Sequence, residues 1–172
     1  MIARPQADEY APFYAGYVQR VPDSSDIFAL LSSQPDELRA LLQSVSDSQA
    51  NARPAPGEWS VKEVIGHLCD SERVFAYRAM RIARSDATPL PGFEQDDYVQ
   101  ATDFNRRTLS DLLDEFASQR RANVLCFQPL TDTETARRGT ASNATVSVRA
   151  LLYILAGHVM HHIESLKTTY KV

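Results

Sequence analysis

Apolar residues recur along this chain at intervals of three and four, in four long stretches separated by clusters of Pro, Gly and Asp; that period belongs to amphipathic helices. The first stretch predicts a helix over about 26 to 47, bent or interrupted near Pro35, with Ile27, Leu30, Leu31, Leu38, Leu41, Leu42 and Val45 on its apolar side. The second has the clearest start. In "WSVKEV", Ser60 as N-cap and Glu63 three residues on form a capping box, and Trp59 with Val64 occupy the hydrophobic-staple positions, so the helix runs to about Arg84. A third helix is predicted from Thr102 or Asp103, carrying Leu109, Leu112, Leu113 and Phe116 inward and ending ahead of Pro129; a fourth spans about Val146 to Tyr170. No stretch alternates with a period of two strongly enough to predict a strand.

Four long amphipathic helices in a chain of 172 residues predict an all-α four-helix bundle and a single domain over 1–172, with residues 1–24 as an N-terminal arm holding a short helix. The segment "SDATPLPGFEQDDYVQAT", residues 85–102, is too long for a tight turn. At up to ~3.3 Å per residue it can run the length of a bundle, which permits helices two and three to lie parallel.

Composition narrows the function. The net charge of −4 gives no general attraction to phosphate backbones or anionic lipid, so nucleic acid is a poor partner. No apolar run reaches membrane-spanning length and the N-terminus lacks a secretory apolar segment, which predicts a cytoplasmic protein. Cys69 and Cys126 lack close spacing, which argues against a Cys-based zinc site or a disulfide framework.

Any metal must therefore rely on His and carboxylate, and three of the four histidines lie within "GHVMHHIESL", residues 157–166. With about 100° per residue, His162 falls inside the inward stripe of Val148, Leu151, Leu155, Val159 and Leu166, and His158 at its edge. His161 points roughly 100° away from His162. On helix two, His67 flanks the apolar set on the side of Ser71 and Arg78, from which it can face the same interior. An i, i+4 imidazole pair can chelate one transition ion, and a third imidazole from a facing helix would leave a position for water or substrate. The competing reading is a packed helix that is merely His-rich.

"PGEWSVKEVIGHLCDSERVFAYRAMRIARSDATPLPGFEQDDYV" and "SVRALLYILAGHVMHHIESL" closely resemble the DinB-like, or YfiT-like, family of metalloenzymes. The most specific parts are the Trp-Ser helix start before His67, the "HLCDSERVFAYR" run, "PLPGF", and the C-terminal H-x-x-x-H. The resemblance implies up-down-down-up helix order with the long crossover between helices two and three, and a homodimer. It also implies a divalent transition metal (zinc, nickel or iron) held by His67, His158 and His162. Some family members act with low-molecular-weight thiols as S-transferases or isomerases, and others are called metal-dependent hydrolases by inference.

The remaining candidates have plainer roles beside their functional ones. His161 reads as a partly solvated surface residue and Glu164 as a surface carboxylate; either could instead orient an imidazole. Asp70 and Glu72 are expected in ion pairs with Arg73 or a neighbouring helix. Arg78 or Arg81 could contact an anionic substrate or form a structural salt bridge. Trp59 reads as a staple, Asp96, Asp97 and Tyr98 as loop residues able to cover a site mouth, and Cys69, about 160° from His67, as packing. Two functions stay open at this stage. One is a metal-dependent enzyme acting on a small molecule by an activated water or thiol, as a hydrolase or thiol S-transferase. The other is a non-catalytic, stress-associated metal-binding dimer.

Overall fold

The structure is a computed structural model describing residues 2–172. Among them, in chain order, are helices α1 (Ala15–Arg20), α2 (Ile27–Leu42), α3 (Asp47–Asn51), α4 (Val61–Ala83), α5 (Gln95–Ala101), α6 (Leu109–Phe127), α7 (Asp132–Thr135) and α8 (Val148–Ser165), with a hairpin of β1 (Arg138–Ala141) and β2 (Ala144–Ser147) just before α8. The four long helices form the bundle, and each starts at a side-chain cap: Asp26, Ser60, Thr108 and Ser147 accept backbone N–H groups of their own first turns. The Ser60–Glu63 capping box forms as expected.

Side-chain pairs fix the topology. Cys69 meets Leu112 and Glu72 meets Arg120, so α4 and α6 run parallel; Gln34 meets Ala156 and Glu37 meets Lys167, so α2 and α8 are parallel too. His67 near the start of α4 lies beside His158 midway along α8, and Tyr170 beyond the end of α8 donates to Trp59 O just before α4, which makes those two antiparallel. The order is up-down-down-up, with residues 84–108 carrying the chain back along the bundle.

Several boundaries differ from the sequence pattern. Helix α2 runs unbroken through Pro35 but stops at Leu42, because Ser46 caps the separate short helix α3. The crossover holds α5 and a 3-10 turn, so α6 starts at Leu109 rather than near 102, where Thr108 supplies the cap. Residues 138–147, expected as loop and helix start, form the hairpin, whose turn places Ser142 and Asn143 in the left-handed region (φ 51 and 60). The C-terminal helix therefore begins at Val148 and loosens into a π turn over Leu166–Tyr170.

Buried apolar residues fall into two clusters divided by a polar belt at one level of the bundle. Gln34, Glu72, Arg120 and His158 are its members, one per helix, and all are buried. Arg120 donates to both Glu72 oxygens (2.9 and 2.8 Å), to Gln34 Oε1 (2.6 Å) and to the Leu31 carbonyl (3.2 Å). That carbonyl is the one Pro35 cannot serve, since Pro has no N–H four residues on. Gln34 in turn donates to Ala156 O on α8 (2.8 Å).

The N-terminal arm is tied to α8 at two points. Glu9 accepts from Ser147 Oγ (2.6 Å) and Arg149 Nε (2.7 Å); burial would raise its carboxyl, but these hydrogen bonds outweigh it and hold the group at about 2. Helix α1 crosses α8 at Gly157, where an added Cβ would lie 1.9 Å from the Tyr17 carbonyl oxygen. Gly157→Ala is expected to destabilise the fold by about 1–3 kcal/mol, the range for overpacking, in urea denaturation. Gly16→Ala, with open space around its Cβ, is expected to leave stability unchanged or slightly raised.

Candidate metal centre

His67 comes from the second turn of α4, and His158 and His162 from adjacent turns of α8, where the i, i+4 spacing stacks them on one face. The three present ring nitrogens that all lie within 4.8 Å of one another. His158 Nε2 is 3.1 Å from His67 Nε2 and 3.1 Å from His162 Nε2. One Nε2 carries either a single proton or a single lone pair, so it completes only one of these contacts as a good hydrogen bond. Three lone pairs converging on a shared cation satisfy both: a tetrahedral ion with ~2.0–2.1 Å bonds separates its nitrogens by about 3.3 Å. The donor set thus fits a borderline transition ion.

The imidazoles are kept neutral, as metal ligation requires. Burial pushes His67 down to about 4 and His162 to about 3, each reinforced by neighbouring imidazoles. Burial also drives His158 well below the usual imidazole range, with the other histidines and the Arg120 guanidinium of the belt adding to it. Between pH 6.5 and these depressed values the unfolded chain binds protons that the folded chain does not, so stability falls with pH. Metal-free protein is expected to unfold at progressively lower urea concentration from about pH 6.5 downward, with Glu9 adding a further loss below about pH 4.5. A midpoint unchanged between pH 7 and pH 5 would contradict this.

Two clefts border the cluster. One, of about 290 Å³, has His67 and His158 at its floor and rings from the arm (Phe13, Tyr14, Tyr17), from α4 (Phe75) and from the crossover (Phe93) as walls. The other, of about 280 Å³, reaches His162 between Trp59, Val64 and Tyr170, with His161 also on its wall. Gln95 and Asp96, in the first turn of α5, border both. A groove of about 500 Å³ between α2 and α8 contains none of the three histidines.

The other candidate residues separate clearly. Arg78 is buried and belongs to the scaffold: it donates to Pro91 O (2.7 Å) and Ser142 Oγ (3.0 Å), pinning the crossover to the hairpin, and lines neither cleft, which argues against the substrate contact considered for it. A bridge between Leu90 and Ala141 makes the same connection. Arg81 pairs with Asp86 and Tyr77. His161 is half-buried against Tyr17, and Glu164 pairs with Arg20. Glu72 belongs to the belt, and Asp70 lies 4.0 Å from Arg73. The Cys69 thiol is buried, pushed up to about 12 by that burial, and faces Leu112 O, away from the cluster. Of the loop candidates Asp96 borders the clefts, while Tyr98 stacks beside Phe93 (5.5 Å). Trp59 does more than staple its helix: its ring lies 4.9 Å from that of His67. The arm's aromatic residues were missed as site components; their only signal was the density of rings in "EYAPFYAGY".

The geometry has counterparts. Residues 30–166 match the model of the DinB superfamily. A protein of Geobacillus thermodenitrificans (strain NG80-2), provisionally named a metal-dependent hydrolase, is 27% identical over 84 residues, a match that spans 49% of this chain and 47% of that protein. The structure of YfiT from Bacillus subtilis, described as a probable metal-dependent hydrolase with an unusual four-helix bundle topology, superposes with a TM-score of 0.76 at 18% identity, covering 95% of this chain and 93% of YfiT. With the matched stretch covering the greater part of the bundle, this chain belongs to the DinB superfamily.

Proposed function

We propose that this protein is a metal-dependent hydrolase of small molecules, with one divalent transition ion held by His67, His158 and His162. The observation that carries the reading is the convergence of three neutral imidazoles at the floor of two open clefts. A structural site would be closed by a fourth protein ligand, and among the described residues no Cys, Asp, Glu or further His joins the three. A bound ion in this setting supplies Lewis acidity, polarising a carbonyl and acidifying water. The chain's own part is positional: belt and capping box fix the two helices that present the imidazoles, burial keeps the imidazoles deprotonated, and the ring-lined walls exclude bulk water from the reacting end of a substrate. The names carried by the Geobacillus protein and by YfiT point the same way.

The test is turnover of a panel of small esters, amides and low-molecular-weight thiol adducts by untagged protein loaded with zinc, nickel or iron. Hydrolysis that chelation abolishes, the ion restores and His67→Ala lacks is the expected result. Turnover that survives chelation or persists in His67→Ala contradicts the proposal. Turnover of only the thiol adducts would shift the chemistry to thiol transfer. A cobalt-substituted protein whose visible spectrum ignores added azide would favour the non-catalytic dimer, because it would have no open coordination position.

A further inference from the structure

Every fully charged side chain that lines the two clefts is a carboxylate: Glu94 and Asp96 in the first, Glu58 and Asp96 in the second. Among the described residues, no Lys or Arg borders either one. The nearby guanidinium groups are held by other partners, although Arg20 also lies 3.4 Å from His161 on the wall of the second cleft. Arg20 pairs with Glu164, Arg53 pairs with Glu63, and Arg78 is fastened behind the wall by Pro91 and Ser142.

The rest of the first cleft is aromatic. Phe13 and Tyr14 meet edge to face at 5.3 Å, Tyr14 and Phe75 at 6.0 Å, and Phe75 and Phe93 at 6.3 Å, giving a continuous band of rings from the exposed arm to the crossover. Tyr17 extends the band to His158, its ring 5.2 Å from the imidazole. Rings beneath a carboxylate rim suit an organic cation, since the negative ring faces attract a positive centre and the carboxylates complete its pairing. Arg78 already sits over Phe75 and Phe93, 5.8 and 5.7 Å from their centres, which leaves Phe13, Tyr14 and Tyr17 for a ligand.

Resting on the proposed function for the location of the site, we infer that the substrate is a small apolar or aromatic amine derivative: its ammonium lies at the Glu94 and Asp96 rim, its hydrocarbon body lies on the Tyr14 and Tyr17 rings, and its reactive group points to the histidine floor. A bound ion would add positive charge at the floor, so the sign preference of the rim itself is read on metal-free protein. At the rim of the metal-free protein, anionic thiols and carboxylate-tailed substrates meet like charge from Glu94 and Asp96.

The test is calorimetric binding of phenethylamine and of 3-phenylpropionate to the full chain at low ionic strength. The pair shares a ring and a similar length and differs in the sign of the terminal charge. Both are measured on chelated, metal-free protein, where the carboxylate cannot gain affinity by ligating an ion. The expected result is a preference for phenethylamine of tenfold or more, shrinking toward parity in Glu94→Gln/Asp96→Asn and at high salt. Tyr17→Leu should weaken phenethylamine binding while leaving the stoichiometry of added zinc unchanged. Equal binding, tighter binding of 3-phenylpropionate, no binding of either, or a preference that the double substitution leaves intact would overturn the inference. Because the readout uses metal-free protein, its failure is separate from failure of the metal reading, which metal stoichiometry decides.

Discussion

His158→Ala is expected to weaken zinc binding by about two orders of magnitude or more, measured in competition with a chromophoric chelator. His158 is the central donor, with its Nε2 3.1 Å from each of the other two, and it is buried. Structural zinc sites gain ~10–16 kcal/mol from four ligands, or about 2.5–4 kcal/mol for each, which corresponds to roughly a hundredfold to a thousandfold per ligand. Two imidazoles alone, His67 from α4 and His162 from α8, would remain. His161→Ala is the informative control, because His161 belongs to the same sequence cluster but packs on Tyr17 outside the convergent set. Its affinity should match the wild type. Comparable losses in both variants would mean that the His-rich stretch binds zinc without the geometry described.

The second large effect is on stability. Glu72→Gln leaves Arg120, whose side chain is 1% exposed, with its charge unpaired inside the bundle. Breaking one side of such a pair costs about 3–5 kcal/mol, and at ~2–4 °C per kcal/mol for a chain of this size the melting temperature should fall by roughly 6–20 °C. The loss should exceed that from removing the exposed Arg39–Asp114 pair, worth ~0–1 kcal/mol. Because Arg120 also holds Gln34 and the carbonyl freed by Pro35, the double variant Glu72→Leu/Arg120→Met is expected to recover only part of the loss. A Glu72→Gln variant within about 1 kcal/mol of wild type by urea denaturation would show that water or a rearranged Gln34 compensates the cation.

The bundle was readable in the chain because burying one face of a long helix imposes a period that survives in the residues themselves. The Ser60–Glu63 box was equally plain, since a cap is local. The parallel pairing of α4 and α6 was allowed by the length of the segment between them and implied by the family resemblance. What escaped the sequence depends on contacts between distant segments. Arg120 and Gln34 look like ordinary surface residues until Glu72, 48 residues from Arg120, completes the belt. The hairpin turn, built on Ser142 and Asn143 without the Asn-Gly that usually marks it, gave no signal, and its pairing with Leu90 is non-local. His67, His158 and His162 stood out because residue type and helical phase together limited where they could point. The ring-lined cleft did not, because its walls come from the arm, α4 and the crossover.

The most direct measurement is elemental analysis of the protein purified without a polyhistidine tag or nickel column, alongside His67→Ala prepared in the same way. The account predicts one transition ion per chain in the wild type and none in the variant, because the third imidazole comes from α4 and the pair on α8 alone does not retain the ion. A wild type that carries no transition metal and takes up none of added zinc, nickel or iron would contradict it, and the three histidines would then be a neutral, packed cluster.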